Sequence, residues 1–236
     1  MFALAVKQLN QTCLILRNPS YYHSVFHKFS NNERSQESTH ATWQYLASRG
    51  TRLNPCNSPL HPAVDAGLPL DPAINELSVQ EAYTPGSMCF GCGPAHPDGL
   101  HLSSKRIKNG LEAHLSIPSK YCAFPGIVNG GIVSTIIDCH GNWSAAIALM
   151  DKSCLPKPPL TLTASIFVSF KEPTPPDTPL LVRSTIISIK DSTQPGVSKP
   201  SVEVDIAVYA KSSDGPDKLL AHGTVMCKRQ GALRAI

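Results

Sequence analysis

The rhythm of hydrophobic and polar positions changes at about residue 88. Beyond it, runs rich in Val, Ile, Leu and Thr are separated by Gly, Pro and Asn clusters. They are Leu100 to Ile107, Leu111 to Ile117, Leu160 to Lys171, Leu180 to Lys190, Val202 to Lys211 and Leu219 to Lys228. Segments of this length and texture predict strands. Gly131 to Met150 is different: Ile132, Val133, Ile136, Ile137, Trp143, Ala146 and Ile147 leave it apolar on almost every side. It predicts one buried helix, which at 1.5 Å per residue is roughly 30 Å long and spans the width of a sheet. Two strands, a long helix and four strands predict an α+β fold, an antiparallel sheet wrapped around one long central helix.

The chain before residue 88 lacks that texture. Residues 36–86 hold Pro55, Pro59, Pro62, Pro69, Pro72 and Pro85. They predict a Pro-rich, mostly irregular linker with short helices at most, around Trp43 to Ala47 and Ile74 to Glu81. Residues 1–35 begin with spaced basic residues, Lys7, Arg17 and Lys28, and no acidic residue before Glu33. That pattern predicts an organelle transit peptide, since Lys7, Gln8, Asn10 and Gln11 interrupt the apolar core a secretory signal needs. A mitochondrial destination is expected, with plastid or cytoplasm as alternatives; an extension without any address is the plainer reading. The folded domain is expected over 87–230, with 231–236 a tail.

Charge narrows the partners. The net charge is +4, and the first 32 residues supply three of those charges, so the folded part is nearly neutral. This argues against a nucleic-acid surface. The eight cysteines are scattered rather than framed as disulfides, and read as reduced thiols. The longest apolar stretch, 127–150, is broken by Asn129, Asp138, His140 and Asn142, so no transmembrane segment is expected.

Asp138 is the conspicuous residue. A carboxylate on an apolar helix is costly to bury without a partner, and no cation occupies a helical neighbour position. It is either paired with a distant Lys or Arg, or poised as a base or nucleophile. Asn129 suits an N-cap, and Gly130 and Gly131 let a ligand approach amides that have no intrahelical partner. Those amides, with the helix dipole, could hold an oxyanion. Gly131 and Asp138 lie about 10 Å apart along one helix. One carbonyl reaches both only if a two-fold dimer sets Asp138 of one chain beside Gly131 of the other.

The segment YCAFPGIVNGGIVSTIIDCHGNWSAA, followed by LTASIFVSFKEPTP, closely resembles the PaaI-like branch of the hotdog thioesterase superfamily, over roughly residues 86–230. In that family a motif H-G-G, six residues, D opens the central helix. The spacing is kept here by Asn129, Gly130, Gly131 and Asp138. The resemblance implies a hotdog fold, hydrolysis of acyl-CoA thioesters, and active sites at the interface of a homodimer or dimer of dimers. It places the catalytic carboxylate on Asp138, the oxyanion amide on or near Gly131, and an assisting hydroxyl on Thr163. It departs at Asn129, where the commonest pattern has His; an amide can cap and hydrogen-bond but cannot titrate.

Strand parity complicates Thr163. Leu162, Ala164, Ile166, Val168 and Phe170 share one face, Thr161, Thr163, Ser165 and Ser169 the other, so an inward apolar face turns Thr163 outward. Phe124, Pro125 and Trp143 are candidates for an acyl pocket, and Lys171, Lys228 and Arg229 for the CoA phosphates. Cys89 and Cys92 have metal-ligand spacing, but zinc takes four ligands and no second C-x-x-C follows, so CFGCGP is expected as a turn. No metal or cofactor is expected. There is no G-x-S-x-G. Two alternatives to hydrolysis remain: a hotdog hydratase or dehydratase, for which His140 is the one, badly phased, helix candidate, and a non-catalytic acyl-CoA-binding hotdog protein.

Overall fold

The computed structural model describes residues 39–190 and 199–233. The expected transit peptide, 1–35, lies outside the described residues. Short helices come first: α1 over 39–48, α2 Pro62–Asp65, α3 Pro72–Glu76 and α4 Val79–Tyr83. Then follow β1 Ser104–Ile107, β2 Gly110–Leu115, β3 Cys122–Phe124, β4 Ile127–Val128, the long helix α5 Gly130–Lys152, β5 Pro159–Phe170, β6 Leu180–Lys190, β7 Ser201–Ala210 and β8 Lys218–Ala232. The six long strands form one antiparallel sheet in the order β1-β2-β6-β7-β8-β5, leaving β5 at an edge. The small β3–β4 hairpin, turned by Gly126 at φ 77°, was not legible in the sequence pattern.

Helix α5 crosses the sheet, and its seating is set by side-chain size. A Cβ on Gly141 would stand 2.9 Å from Val225, and one on Gly223 would stand 2.6 Å from Ile137. Helix and strand therefore approach closely where a glycine on one faces a side chain of the other. Around these points Val133, Ile136, Ile137, Ala145 and Leu149 bury against Val202, Val204, Ile206 and Val208 of β7 and Leu220, Ala221 and Val225 of β8. Each fully buried Val, Ile or Leu contributes about 1.5–3 kcal/mol.

The Pro-rich stretch has more structure than a linker. Pro62 and Pro72 open α2 and α3 instead of breaking them, with His61 and Asp71 as side-chain caps. A capping box of Ser78 with Glu81 starts α4 afresh, so Ile74 to Glu81 forms two helices and not one. Trp43 buries with Ala63 and Ala66, while Val79 and Tyr83 join Leu111, Ile147 and Met150 against the main domain.

A polar chain locks α4 to α5. The Gln80 amide meets both the backbone N–H and the hydroxyl of Ser104, at 2.9 and 3.1 Å. Ser104 Oγ lies 3.0 Å from His140 Nδ1, and His140 Nε2 lies 3.1 Å from the Leu111 carbonyl. The carbonyl can only accept, so Nε2 carries the proton and Nδ1 accepts from Ser104. Burial pushes the His140 imidazole down to about 4. It is a neutral structural group with both nitrogens committed.

Candidate active site

The site lies between α5 and the edge strand β5. Asp138 is half-buried, not sealed in the core as the apolar helix pattern suggested, because it sits on the flank of α5 that faces β5. Its Oδ1 accepts a 2.7 Å hydrogen bond from Thr163 Oγ1. Thr163 Oγ1 accepts in turn from Asn142 Nδ2 at 3.3 Å, and Asn142 Oδ1 accepts from Thr161 Oγ1 at 2.7 Å. Every donor in this relay points toward the carboxylate, an arrangement in which each bond polarises the next. Among the described residues no Lys, Arg or His pairs with Asp138. Hydroxyl and amide dipoles are its environment instead.

Parity had turned Thr163 outward, and the register explains why it is inward. Thr163 stands opposite Cys227, but Ser165 stands opposite Met226, so one residue is absorbed at Ala164. This bulge exchanges the faces of β5. Before it Thr161 and Thr163 face the helix; after it Ile166, Val168 and Phe170 share the side of the buried Val225 and Ala221. Cys227, 4.0 Å from Thr163 Oγ1, is no competing nucleophile: burial, with the Asp138 charge, pushes its thiol up to about 12.

The helix N-terminus lies two turns before Asp138, beside a cavity of its own. Asn129 Oδ1 accepts from the Gly131 N–H at 2.7 Å, so that amide is occupied by the cap. The same bond fixes the Asn129 side-chain amide. The Phe170 ring comes so near Gly130 that a Cβ there would lie 3.1 Å from it. Ile127, Val128, Gly130, Val133, Phe170 and Thr174 line a cavity of about 370 Å³, with Lys171 at its rim. A larger cavity of about 1140 Å³ lies beyond the other end of α5, among Trp43, Leu60, Arg106 and Asp151. None of the candidate residues lines it. Its Arg106 and Asp151 pair through two hydrogen bonds, at 2.7 and 3.0 Å.

The remaining candidates separate. Phe124 is 69% exposed on β3. Trp143 does not line the cavity at the helix N-terminus; it packs between two core clusters, and its Nε1 donates to Cys92 Sγ at 3.4 Å. Asn142, which sequence reasoning passed over, stands one turn after Asp138 at i+4, and that spacing was its only signal.

A six-stranded antiparallel sheet wrapped around one long helix, with two strands before the helix and four after it, defines the architecture. The chain has the hotdog fold. No family model matches the sequence, and no curated protein matches it. Among solved structures, the hotdog domain is similar to a thioesterase superfamily protein from Shewanella loihica, with 26% identity, 55% of this chain and 90% of that one covered, and a TM-score of 0.41. It is similar to the E. coli PaaI protein of the phenylacetic acid degradation operon at 10% identity, covering 56% and 82%, with a TM-score of 0.43. A hypothetical thioesterase from Streptococcus pneumoniae, solved with coenzyme A, shares 10% identity over 56% and 88%, with a TM-score of 0.39. Within the described residues of this hotdog chain, no helix is long and apolar enough to cross a membrane.

Proposed function

We propose that this hotdog protein hydrolyses acyl-CoA thioesters to free acid and CoA, with Asp138 as the catalytic carboxylate. The observation that carries the reading is the Thr163–Asp138 hydrogen bond. A half-buried carboxylate with no cation partner among the described residues is held in one orientation by a relay built from two elements. In the proposed step a water oxygen attacks the thioester carbonyl carbon while its proton passes to Asp138. The C–S bond breaks, and the departing CoA sulfur takes the proton back. Asn129 Nδ2, oriented by the cap, donates to the carbonyl oxygen as charge develops there. Where a substrate oxygen instead displaces the Asn129 side chain, the freed Gly131 amide takes over that duty.

The site is proposed to be completed by a second copy. Edge strand β5 presents Leu160, Leu162, Ile166, Phe167 and Phe170 at 37–68% exposure, and a two-fold pairing through it would bring the helix N-terminus of one copy toward Asp138 of the other. The hydratase alternative finds no support in His140, whose nitrogens are both committed inside the core.

The test is thiol release by the full chain from short, long and aromatic acyl-CoAs, beside Asp138→Ala. Turnover of at least one class is expected, with a loss of about 10²–10⁴-fold in the variant. Equal rates would sink the assignment of Asp138. Tight acyl-CoA binding without turnover would replace hydrolysis by a binding role. Single turnover in labelled water then separates water activation, which leaves Asp138 unlabelled, from direct attack by the carboxylate.

A further inference from the structure

The CFGCGP loop does more than turn the chain. It lies over the middle of α5 and brings Cys89 and Cys92 to Cys139, a thiol 50 residues after Cys89 and on a different flank of the helix from the Thr163 relay. The three Sγ atoms lie within 4.8 Å of one another, and Cys89 Sγ is 3.7 Å from Cys139 Sγ. Two thiolates sharing a tetrahedral cation at a metal–sulfur distance of about 2.3 Å stand about 3.8 Å apart. The spacing therefore matches a shared ion and is far longer than a disulfide, whose sulfurs lie about 2.05 Å apart.

The surroundings are built to hold sulfur. Cys89 Sγ shares a hydrogen bond with Cys139 Sγ, and the Cys89 N–H donates to Ser87 Oγ at 3.3 Å, which fixes the start of the loop. Cys92 Sγ accepts the Trp143 indole N–H at 3.4 Å, the outer-shell donor a coordinated thiolate takes. Two glycines make the approach possible. A Cβ on Gly91 would lie 2.5 Å from Cys139 Sγ and 2.9 Å from Thr135 Cγ2; one on Gly93 would lie 2.4 Å from the Ser87 carbonyl. Backbone bonds from Leu100 to Phe90 and from Leu102 to Gly91 fasten the loop to the segment leading into β1. Cys92 and Cys139 are buried and Cys89 is exposed, so one side of the trio meets solvent.

We propose that Cys89, Cys92 and Cys139 form a binding site for a soft divalent cation, Zn²⁺, with three thiolate ligands and a fourth position open to solvent beside Cys89. The two missing ligands, which spoke against zinc in the C-x-x-C motif alone, are reduced by Cys139 to one open position. The ion pins the loop onto the helix that carries Asp138. Binding releases the thiol protons and leaves a Zn²⁺–trithiolate centre, with no change of oxidation state.

The full chain, purified under reducing anaerobic conditions and stripped of metal, is titrated with Zn²⁺ against a chromophoric chelator and, separately, with Co²⁺. One ion per chain is expected, with a thiolate-to-cobalt charge-transfer band and a change in tryptophan emission that Trp143→Phe abolishes. Cys89→Ser, at an exposed position, should keep the fold by circular dichroism and weaken binding at least about 100-fold, more than the loss of an outer-shell group alone. Cys139→Ser should do the same. The proposal is overturned if the reduced chain binds no stoichiometric ion, or if both serine variants bind as the parent does. It is equally overturned if the freshly isolated chain carries a disulfide within the trio and takes no metal after reduction.

Discussion

Thr163 Oγ1 donates to Asp138 Oδ1 at 2.7 Å across 25 residues of sequence, and Asn142 donates to that same hydroxyl from one turn further along the helix. A hydrogen bond to an ionised group contributes about 1.5–3 kcal/mol, and removing it leaves the carboxylate free to rotate. Thr163→Val should therefore lower kcat by about 10- to 100-fold and leave KM nearly unchanged, because Thr163 positions the carboxylate and need not touch substrate. Thr163→Ser keeps the hydroxyl and should restore most of the rate. Steady-state kinetics on the two variants checks this; equal defects in both would make the effect one of packing.

Asn129 carries two duties that substitution can separate. Its Oδ1 caps the Gly131 amide, and its Nδ2 is the donor proposed for the thioester oxygen. Asn129→Asp keeps the acceptor and adds charge favourable to a helix N-terminus, so thermal stability should hold within about 0.5 kcal/mol. The same carboxylate presents a negative charge where the carbonyl oxygen gains one, so kcat should fall by about 10²–10³. Asn129→Ala should do the reverse in stability, losing about 1 kcal/mol with the cap. An Asp variant with full activity would remove Asn129 from the proposed oxyanion environment.

These relationships show which parts of the molecule the sequence displays. Strands β5 to β8 and helix α5 fall within a few residues of their expected bounds because the texture that marks them is local. The face of β5 was not legible. A bulge at Ala164 has no glycine or proline to announce it, and one absorbed residue inverts the meaning of every alternation after it. Asp138 was legible as a charge out of place. Asn142 was not, since a neutral amide on a helix signals no chemistry until its partner strand is known. The Gln80–Ser104–His140 chain and the third thiol of the cysteine cluster depend on pairings between distant segments, which periodicity cannot report.

The edge of the sheet is open to a direct test. Phe167 is 68% exposed on β5, an edge strand that bears no lysine or arginine to discourage pairing with another chain. If two copies pair through β5 about a two-fold axis, Phe167→Glu sets like charges near one another across the junction. The variant should sediment as a monomer where the parent sediments as a dimer, and lose activity in proportion. A dimer that survives the substitution would move the interface elsewhere.

His61 makes the N-terminal helices sensitive to acid. Its ring is buried edge-on to Trp43 at 5.5 Å, and Nδ1 accepts from the Ala63 N–H as the cap of α2. Burial first, then the positive charge of Arg106, pushes the imidazole from 6.5 down to about 3. A depressed pKa means that the unfolded chain binds the proton more readily than the folded one. The stability tied to neutral His61 is thus fully present above pH 6.5 and is lost progressively as pH falls from 6.5 toward 3. Chemical denaturation followed by Trp43 fluorescence should show that slope, reaching a few kcal/mol at its acid end. His61→Asn keeps a capping oxygen and cannot titrate, so it should reduce the slope between pH 6.5 and 4 to the part that buried His140 contributes, while lowering stability at pH 7.5 through lost packing on Trp43. An unchanged slope in His61→Asn would assign the acid sensitivity to other groups.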